Sequence, residues 1–270
     1  MTNNTISWDQ YKSIISGIVA NKVSFYCRGQ SNSKWPLQTT FHRASPITKI
    51  DLVQYLDYVI PQLHYYISAS QNEIINLNDQ LEFAAFLALV QHHGFPTPLL
   101  DWTFSPYIAA YFAFRDVDDT TPQSQHVRIF LFDQLKWSQT YNQPLNLRDL
   151  NPYVSVLRPH AKNNPRIIAQ QGAFTVTNVP DMSLHIQQCE KPGLDFLHII
   201  DIPAKEKPEV MRELNLMGIN EMTLFPSIDG ICRAIKAQFF SADKIRPSLE
   251  EKLATVTALL KGSPVPRPNP

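Results

Sequence analysis

Arg28 follows the run Phe25-Tyr26-Cys27 and precedes the polar turn Gly29-Gln30-Ser31-Asn32. From such a place a guanidinium can reach into a cleft and grip a phosphate or carboxylate through two parallel hydrogen bonds. The same side chain could equally tie down the end of its strand, and the segment alone favours neither role. A second group lies in Thr97-Pro98-Leu99-Leu100-Asp101-Trp102-Thr103-Phe104-Ser105-Pro106, where Asp101, Thr103 and Ser105 sit in an apolar setting just ahead of a helix start. An open helix start offers free N–H groups and a positive dipole to an anion. Taken alone, Ser105 as a cap and Asp101 as the closure of a turn is the commoner fate. His92 and His93 close the preceding helix, where the macrodipole favours imidazolium. Adjacent helical residues point about 100° apart, so the two cannot address one site, and no metal is expected between them. The third group is Gln170-Gln171-Gly172-Ala173-Phe174-Thr175, which enters a strand with two amides; each can offer a ligand hydroxyl both an acceptor and a donor.

Regular elements must carry these residues. Ser7 and Gln10 have capping-box spacing ahead of a helix with Trp8, Tyr11, Ile14, Ile15 and Ile18 on one face. Val23 to Arg28 reads as a short strand with Tyr26 and Arg28 on one side and Val23, Phe25 and Cys27 on the other. Residues 49–77 carry a helical pattern that Pro61 should break or kink. A clearer helix runs from Asn78, its N-cap, to His93, with Gly94 as the left-handed terminator. Two prolines hold residues 95–100 extended, and Ser105-Pro106 opens a helix over Tyr107 to Phe114. Strands are expected at Val127–Phe132, Ala173–Thr177 and Phe196–Ile202, with a loop-rich stretch between the first two. Helices follow at Pro208–Met217, Ile228–Phe240 and from Ser248, where Glu251 completes a capping box. The Pro-rich residues 262–270 read as a disordered tail.

Composition removes several function classes. Lys and Arg number 24 against 24 Asp and Glu, with no long basic block, so nucleic acid is not favoured as a partner. The three cysteines, Cys27, Cys189 and Cys232, are far apart and form neither a disulfide framework nor a zinc spacing. The start of the chain is polar, no apolar run reaches membrane-spanning length, and a cytoplasmic protein without membrane partners is expected. Neither G-x-G-x-x-G nor G-x-x-x-x-G-K-[ST] occurs, so the common phosphate cradles are missing; H-E-x-x-H and G-x-S-x-G are missing too.

Taken together, the segments resemble the FRG domain, a bacterial and phage family. The match comprises Phe25-Tyr-Cys-Arg28-Gly29-Gln30 with Trp35-Pro36-Leu37 and Arg43; Gln91 through Pro106 with Ala109 and Tyr111-Phe112-Ala113; and Arg166 with Gln170-Gln171-Gly172-Ala-Phe174. Leu224-Phe225-Pro226-Ser227-Ile228-Asp229-Gly230 adds a fourth piece. The resemblance implies one FRG-like domain over residues 1–261, with a core at about 20–240. Its fold would be α+β, a small central mixed or antiparallel sheet with flanking helices, in a layout similar to ADP-ribosyltransferases. On that analogy NAD is the substrate and an unidentified macromolecule the acceptor, with a toxin or anti-phage role. Arg28 would hold the NAD ribose or pyrophosphate, with Gly29, Gln30, His92 and His93 around the nucleotide. Thr103 and Ser105 would support the pocket, and Gln171 would take a third place where such enzymes carry Glu. Gln keeps a hydrogen bond there and loses a charge, a difference of about 1 kcal/mol or roughly five- to tenfold in rate. Asp101 or Glu221 could supply the missing carboxylate. Two other readings stand beside this one: a nucleotide-binding sensory module without turnover, and a nuclease using His92, His93 and Asp101.

Overall fold

The computed structural model describes residues 4–21, 23–71, 74–118, 120–122, 124–159, 165–240 and residue 257. The helix expected to start at Ser248 and the tail at 262–270 lie outside the described residues. After β1 (Asn4–Thr5), helix α1 (Trp8–Ala20) starts where Ser7 Oγ accepts from the Gln10 N–H while the Gln10 side chain accepts from the Ser7 N–H. That reciprocal cap is the one its spacing predicts. Strand β2 (Tyr26–Gln30) follows, two residues longer at its end than the Gly turn suggested, and then α2 (Thr40–Thr48).

Residues 52–71 form one continuous helical run: α3 (Leu52–Gln54), a π turn at Tyr55–Val59, and α4 (Ile60–Gln71). The expected break at Pro61 does not occur. Proline has no N–H to donate, and the widened turn in front of it, in which the Ile60 N–H reaches back to Tyr55 O, accommodates the lost bond without ending the helix. Helix α5 (Gln80–His92) is capped by Asp79, not Asn78: the Asp79 carboxylate accepts from the N–H groups of Leu81 and Glu82 at 2.8 and 2.9 Å. Gly94 ends it at φ +85°, as a left-handed terminator should.

Strand β3 (Leu99–Thr103) leads through the Ser105 cap into α6 (Pro106–Arg115), and β4 (His126–Phe132) follows. The stretch read as loop contains α7 (Gln134–Thr140), β5 (Val154–Leu157) and α8 (Pro165–Ala169), all too short to show a period. Next come β6 (Gly172–Thr177), α9 (Met182–Cys189), β7 (Leu197–Pro203), a 3₁₀ turn at Ala204–Glu206, α10 (Lys207–Leu216), α11 (Glu221–Leu224) and α12 (Ile228–Phe239). Among the described residues no helix is long and apolar enough to cross a membrane.

The strands form one sheet in the order β1-β7-β4-β2-β3-β6-β5, parallel only at β1–β7, which makes the fold α+β. Strand β2 runs against β4 from Tyr26 opposite Phe132 to Gln30 opposite Arg128, and β3 runs against β6 from Leu99 opposite Val176 to Thr103 opposite Gly172. Between β2 and β3, Cys27 opposite Thr103 is the whole ladder. This pairing sets the face of every residue, because alternate residues of a strand point to opposite sides. Cys27 and Gly29 share a face with Ile129, Leu131, Thr103, Asp101 and Leu99. Over its β4–β7 half that face is covered by α1, α6 and α10 through Trp8, Tyr11, Ala109, Phe114 and Val210. Over its β3–β6 half, Leu99, Phe174 and Val176 pack instead on Phe41, Tyr55, Phe86 and Leu87 from α2, the π turn and α5. The opposite face buries Tyr26, Trp102, Phe130, Phe132 and Phe196 against Trp137 and Met182.

Gly29 is the contact that seats β2 on α6. A Cβ at this position would lie 2.0 Å from Ala109 O and 2.6 Å from Ala113 N, both backbone atoms of a helix that cannot yield locally. Gly29→Ala should therefore force the strand and helix apart and cost about 3 kcal/mol, at the upper end for overpacking, with urea unfolding as the measurement. An unchanged midpoint would show that the approach is not a constraint.

Candidate functional site

Where the two helical layers part and β2 leaves β3, a cleft of about 690 Å³ opens. That volume falls in the range of small-molecule sites. Its walls come from β2 (Arg28, Gln30), β3 (Asp101, Thr103), α5 (Gln91, His92), α6 (Phe112, Arg115) and the segments of Arg166, Gln170 and Phe225.

Arg28 reaches across the gap between the splayed strands: its Nη1 donates to the backbone carbonyl of Asp101 at 2.7 Å. The guanidinium thus satisfies an acceptor that a continuing ladder would have taken. Its Nε, shielded from solvent, has no hydrogen-bond partner, and neither does Oε1 of the buried Gln30, whose amide nitrogen donates to Pro36 O at 3.2 Å. An orphaned donor and an orphaned acceptor on alternate residues of one strand are the kind of exception that a ligand explains, since native interiors leave few such atoms unpaired.

The Asp101 side chain meets solvent through the cleft yet is surrounded by protein. Gln91 Nε2 donates to its Oδ1 at 2.7 Å, and Gln91 is held in turn by the hydroxyl of the fully buried Thr97, whose N–H donates to Thr40 Oγ1 at 3.0 Å. Burial raises the Asp101 pKa above the ordinary carboxylate value, against the opposing pull of Arg28 and of the Gln91 hydrogen bond. Burial lowers the Arg28 pKa; Asp101 works against that shift and Arg43 adds to it. His92 is pushed toward its neutral form by burial and by the neighbouring Arg166 and His93.

Not every residue singled out in the sequence comes to the cleft. Arg28, Gly29, Gln30, His92, Asp101 and Thr103 line it. The Thr103 hydroxyl is occupied, donating to Gln170 O at 2.7 Å and accepting from the Ser105 N–H at 3.0 Å. Ser105 lies off the cleft, where its hydroxyl caps α6 by accepting from the Ile108 N–H at 3.3 Å; the helix start is closed by its own cap. His93 is the exposed C-cap of α5, so only one of the two imidazoles faces the cleft. Gln171 is exposed at φ +48°, its carbonyl accepting from the Phe104 N–H at 3.0 Å, and its neighbour Gln170 takes the cleft position, with Nε2 donating to Leu224 O at 3.1 Å. The positive φ reverses the chain at Gln171 and turns its side chain away. Glu221 is bound to Arg115 at 2.9 Å and Arg233 at 3.1 Å, which leaves Asp101 as the carboxylate beside Arg28.

Gln91, Arg43, Arg166 and Phe225 also line the cleft; they belong to the family pattern, which carries no task for them. Trp35 at the cleft wall, 53% exposed, carried a signal of its own: a large aromatic left in solvent beside a polar turn.

The family model of the FRG domain matches residues 23–121 of the chain. The matched span runs from β2 through α6, so it holds Arg28, Gln30, Gln91 and Asp101 and stops short of Arg166, Gln170 and Phe225. No curated protein and no solved structure matches the chain significantly.

The raised pKa of Asp101 has a thermodynamic sign. The native chain binds this proton more tightly than the unfolded chain, so the contribution of the group to stability is present in acid and is lost as pH rises through the folded pKa. Chemical unfolding of the wild type and of Asp101→Asn across pH should show the wild type losing ground as pH rises from about 4, the value of an unperturbed Asp. A difference between the two proteins that does not vary with pH would contradict the upward shift of this carboxyl.

Proposed function

We propose that the cleft binds NAD and breaks its nicotinamide–ribose bond, passing ADP-ribose to a macromolecular acceptor or to water. The observation that carries this reading is the pairing, in one cleft of nucleotide size, of a guanidinium with an uncommitted Nε and a carboxylate beside it. In the reaction the C1′–N bond breaks, its electron pair leaves with the nicotinamide nitrogen, and positive charge spreads over ribose C1′ and the ring oxygen. The acceptor then bonds to C1′ and gives up a proton. Arg28 serves the phosphates or ribose through Nε, and the neighbouring Gln30 Oε1 accepts from a ribose hydroxyl. Asp101 supplies the negative charge that the developing oxocarbenium requires, the duty performed by Glu in ADP-ribosyltransferases. Gln91 acts as a positioning residue, fixing that carboxylate through the hydrogen bond from its Nε2.

Three features of the layout support the analogy with ADP-ribosyltransferases: an Arg on an early strand, a Thr-bearing strand leading into an Ala- and Phe-rich helix, and a later strand opened by Gln. The third place passes from Gln171 to Gln170, which offers a neutral amide, so the charge must come from Asp101.

Purified protein incubated with NAD should release nicotinamide, measured by chromatography. Arg28→Ala and Asp101→Asn should each lower the rate by about two orders of magnitude, the scale of a lost electrostatic contact to the reacting centre. The wild-type rate should fall as pH drops through the raised Asp101 pKa, because the carboxylate form is the active one. NAD that binds by calorimetry and is recovered intact would replace turnover with a sensory role; folded protein that neither binds nor cleaves it would end the proposal.

A further inference from the structure

We infer that the cleft contains a second anion subsite, built on Arg166 against Phe225, and that its ligand is a nucleoside diphosphate or a molecule containing one. The inference rests on the cleft being a nucleotide site and adds to it the phosphate count and the residue that reads it.

The electrostatics point this way first. Across the cleft wall Arg28, Arg43, Arg115 and Arg166 face Asp101 and Asp116, four cations against two anions, in a chain whose charges balance overall at 24 and 24. Part of the excess lies at Phe225. The guanidinium carbons of Arg115, Arg166 and Arg233 lie 4.7, 5.4 and 5.3 Å from that ring. Glu221 pairs with Arg115 and Arg233, and the Arg166 side chain has neither an ion pair nor a hydrogen bond among the described residues. Arg115 also meets Asp116 at 3.7 Å, so both carboxylates of the cluster are taken by Arg115 and Arg233, and an anion seated at Arg166 supplies the charge that Arg166 lacks.

Phe225 is a rigid platform. It is 7% exposed, and α12 begins so close to it that a Cβ on Gly230 would lie 1.9 Å from Phe225 O. A guanidinium lying against a fixed ring keeps its N–H edge free, and that edge matches the oxygens of a phosphate. The ring therefore orients Arg166 before any ligand arrives. Arg28 with Arg43 at the strand split, and Arg166 with Arg115 at Phe225, give one cleft two places for anionic groups. A diphosphate fills both; a monophosphate fills one.

Calorimetric titration of the full chain with ADP and with AMP tests the count. ADP should bind about tenfold or more tightly than AMP, the worth of one charged hydrogen-bonding contact. Arg166→Gln should bring ADP close to AMP, and Arg166→Lys, which keeps the charge and loses the fork, should fall between. Equal wild-type affinities, or an ADP preference that survives in folded Arg166→Gln, overturns the subsite. If Arg166→Gln does not fold, Arg166→Lys decides, since an undiminished ADP preference in it removes the need for the fork. Turnover is judged separately: ADP preference without nicotinamide release keeps the subsite and discards the NAD reaction, and nicotinamide release with equal ADP and AMP affinities does the reverse.

Discussion

The separation of β2 from β3 after one residue pair, Cys27 opposite Thr103, is the constraint on which the site depends. Each strand is committed elsewhere. Gly29 lies so near Ala109 and Ala113 that β2 follows α6, while β3 is laddered to β6 over five pairs and rests through Leu99 on the α5 layer. Two helical layers on one sheet face cannot both approach the seam, and the space left between them is the cleft. Splaying exposes backbone groups that a continuous sheet would pair, and Arg28 answers one of these by donating to Asp101 O. The residue proposed to bind a ligand is therefore also a strut across the gap, and the structural role raised for Arg28 is filled.

How much of this was legible in the sequence follows from the range of the forces involved. Local chemistry was readable: the Ser7 cap, the Ser105-Pro106 start of α6, the Gly94 terminator and the alternation that puts Tyr26 opposite in face to Cys27 all depend on neighbours a few residues away. Pro61 misled because a π turn is a collective property of its helix, stabilised by the packing of Tyr55 and Ile60 into the core. Asn78 and Asp79 are both good caps on type alone, and only the seated chain shows which carboxylate or amide reaches the N–H groups. Strand β5 was invisible because its four residues are defined by pairing with β6, not by any pattern of their own.

At the site the same division holds. Arg28 and Asp101 were recognisable as chemistry, but their adjacency is made by two strands more than 70 positions apart in the chain, and no spacing encodes it. Gln171 was chosen over Gln170 because both enter the same strand; a positive φ at the former sends the latter to the cleft. Glu221 was open as a carboxylate until its two arginine partners were seen. Phe225 and Arg166, distant in sequence from Arg28, could enter only as fragments of a family pattern.

Asp101 and Arg28 are each held in a state that burial disfavours, as their opposed shifts show, and each is the other's partial remedy. Arg28 meets Asp101 through the backbone carbonyl, so the two charges share the cleft without forming an ion pair, and neither is fully relieved of its desolvation. The seam is held from beneath, where Tyr26 of β2 and Trp102 of β3 share one hydrophobic cluster on the opposite sheet face. Gln91 and Thr97 then matter in a particular way. They fix the carboxylate at the cleft wall, Gln91 by donating to it and Thr97 by donating to Gln91. A fully buried threonine thus reaches the cleft through one glutamine, and a polar chain of this kind fixes the orientation of a carboxylate more firmly than solvent would.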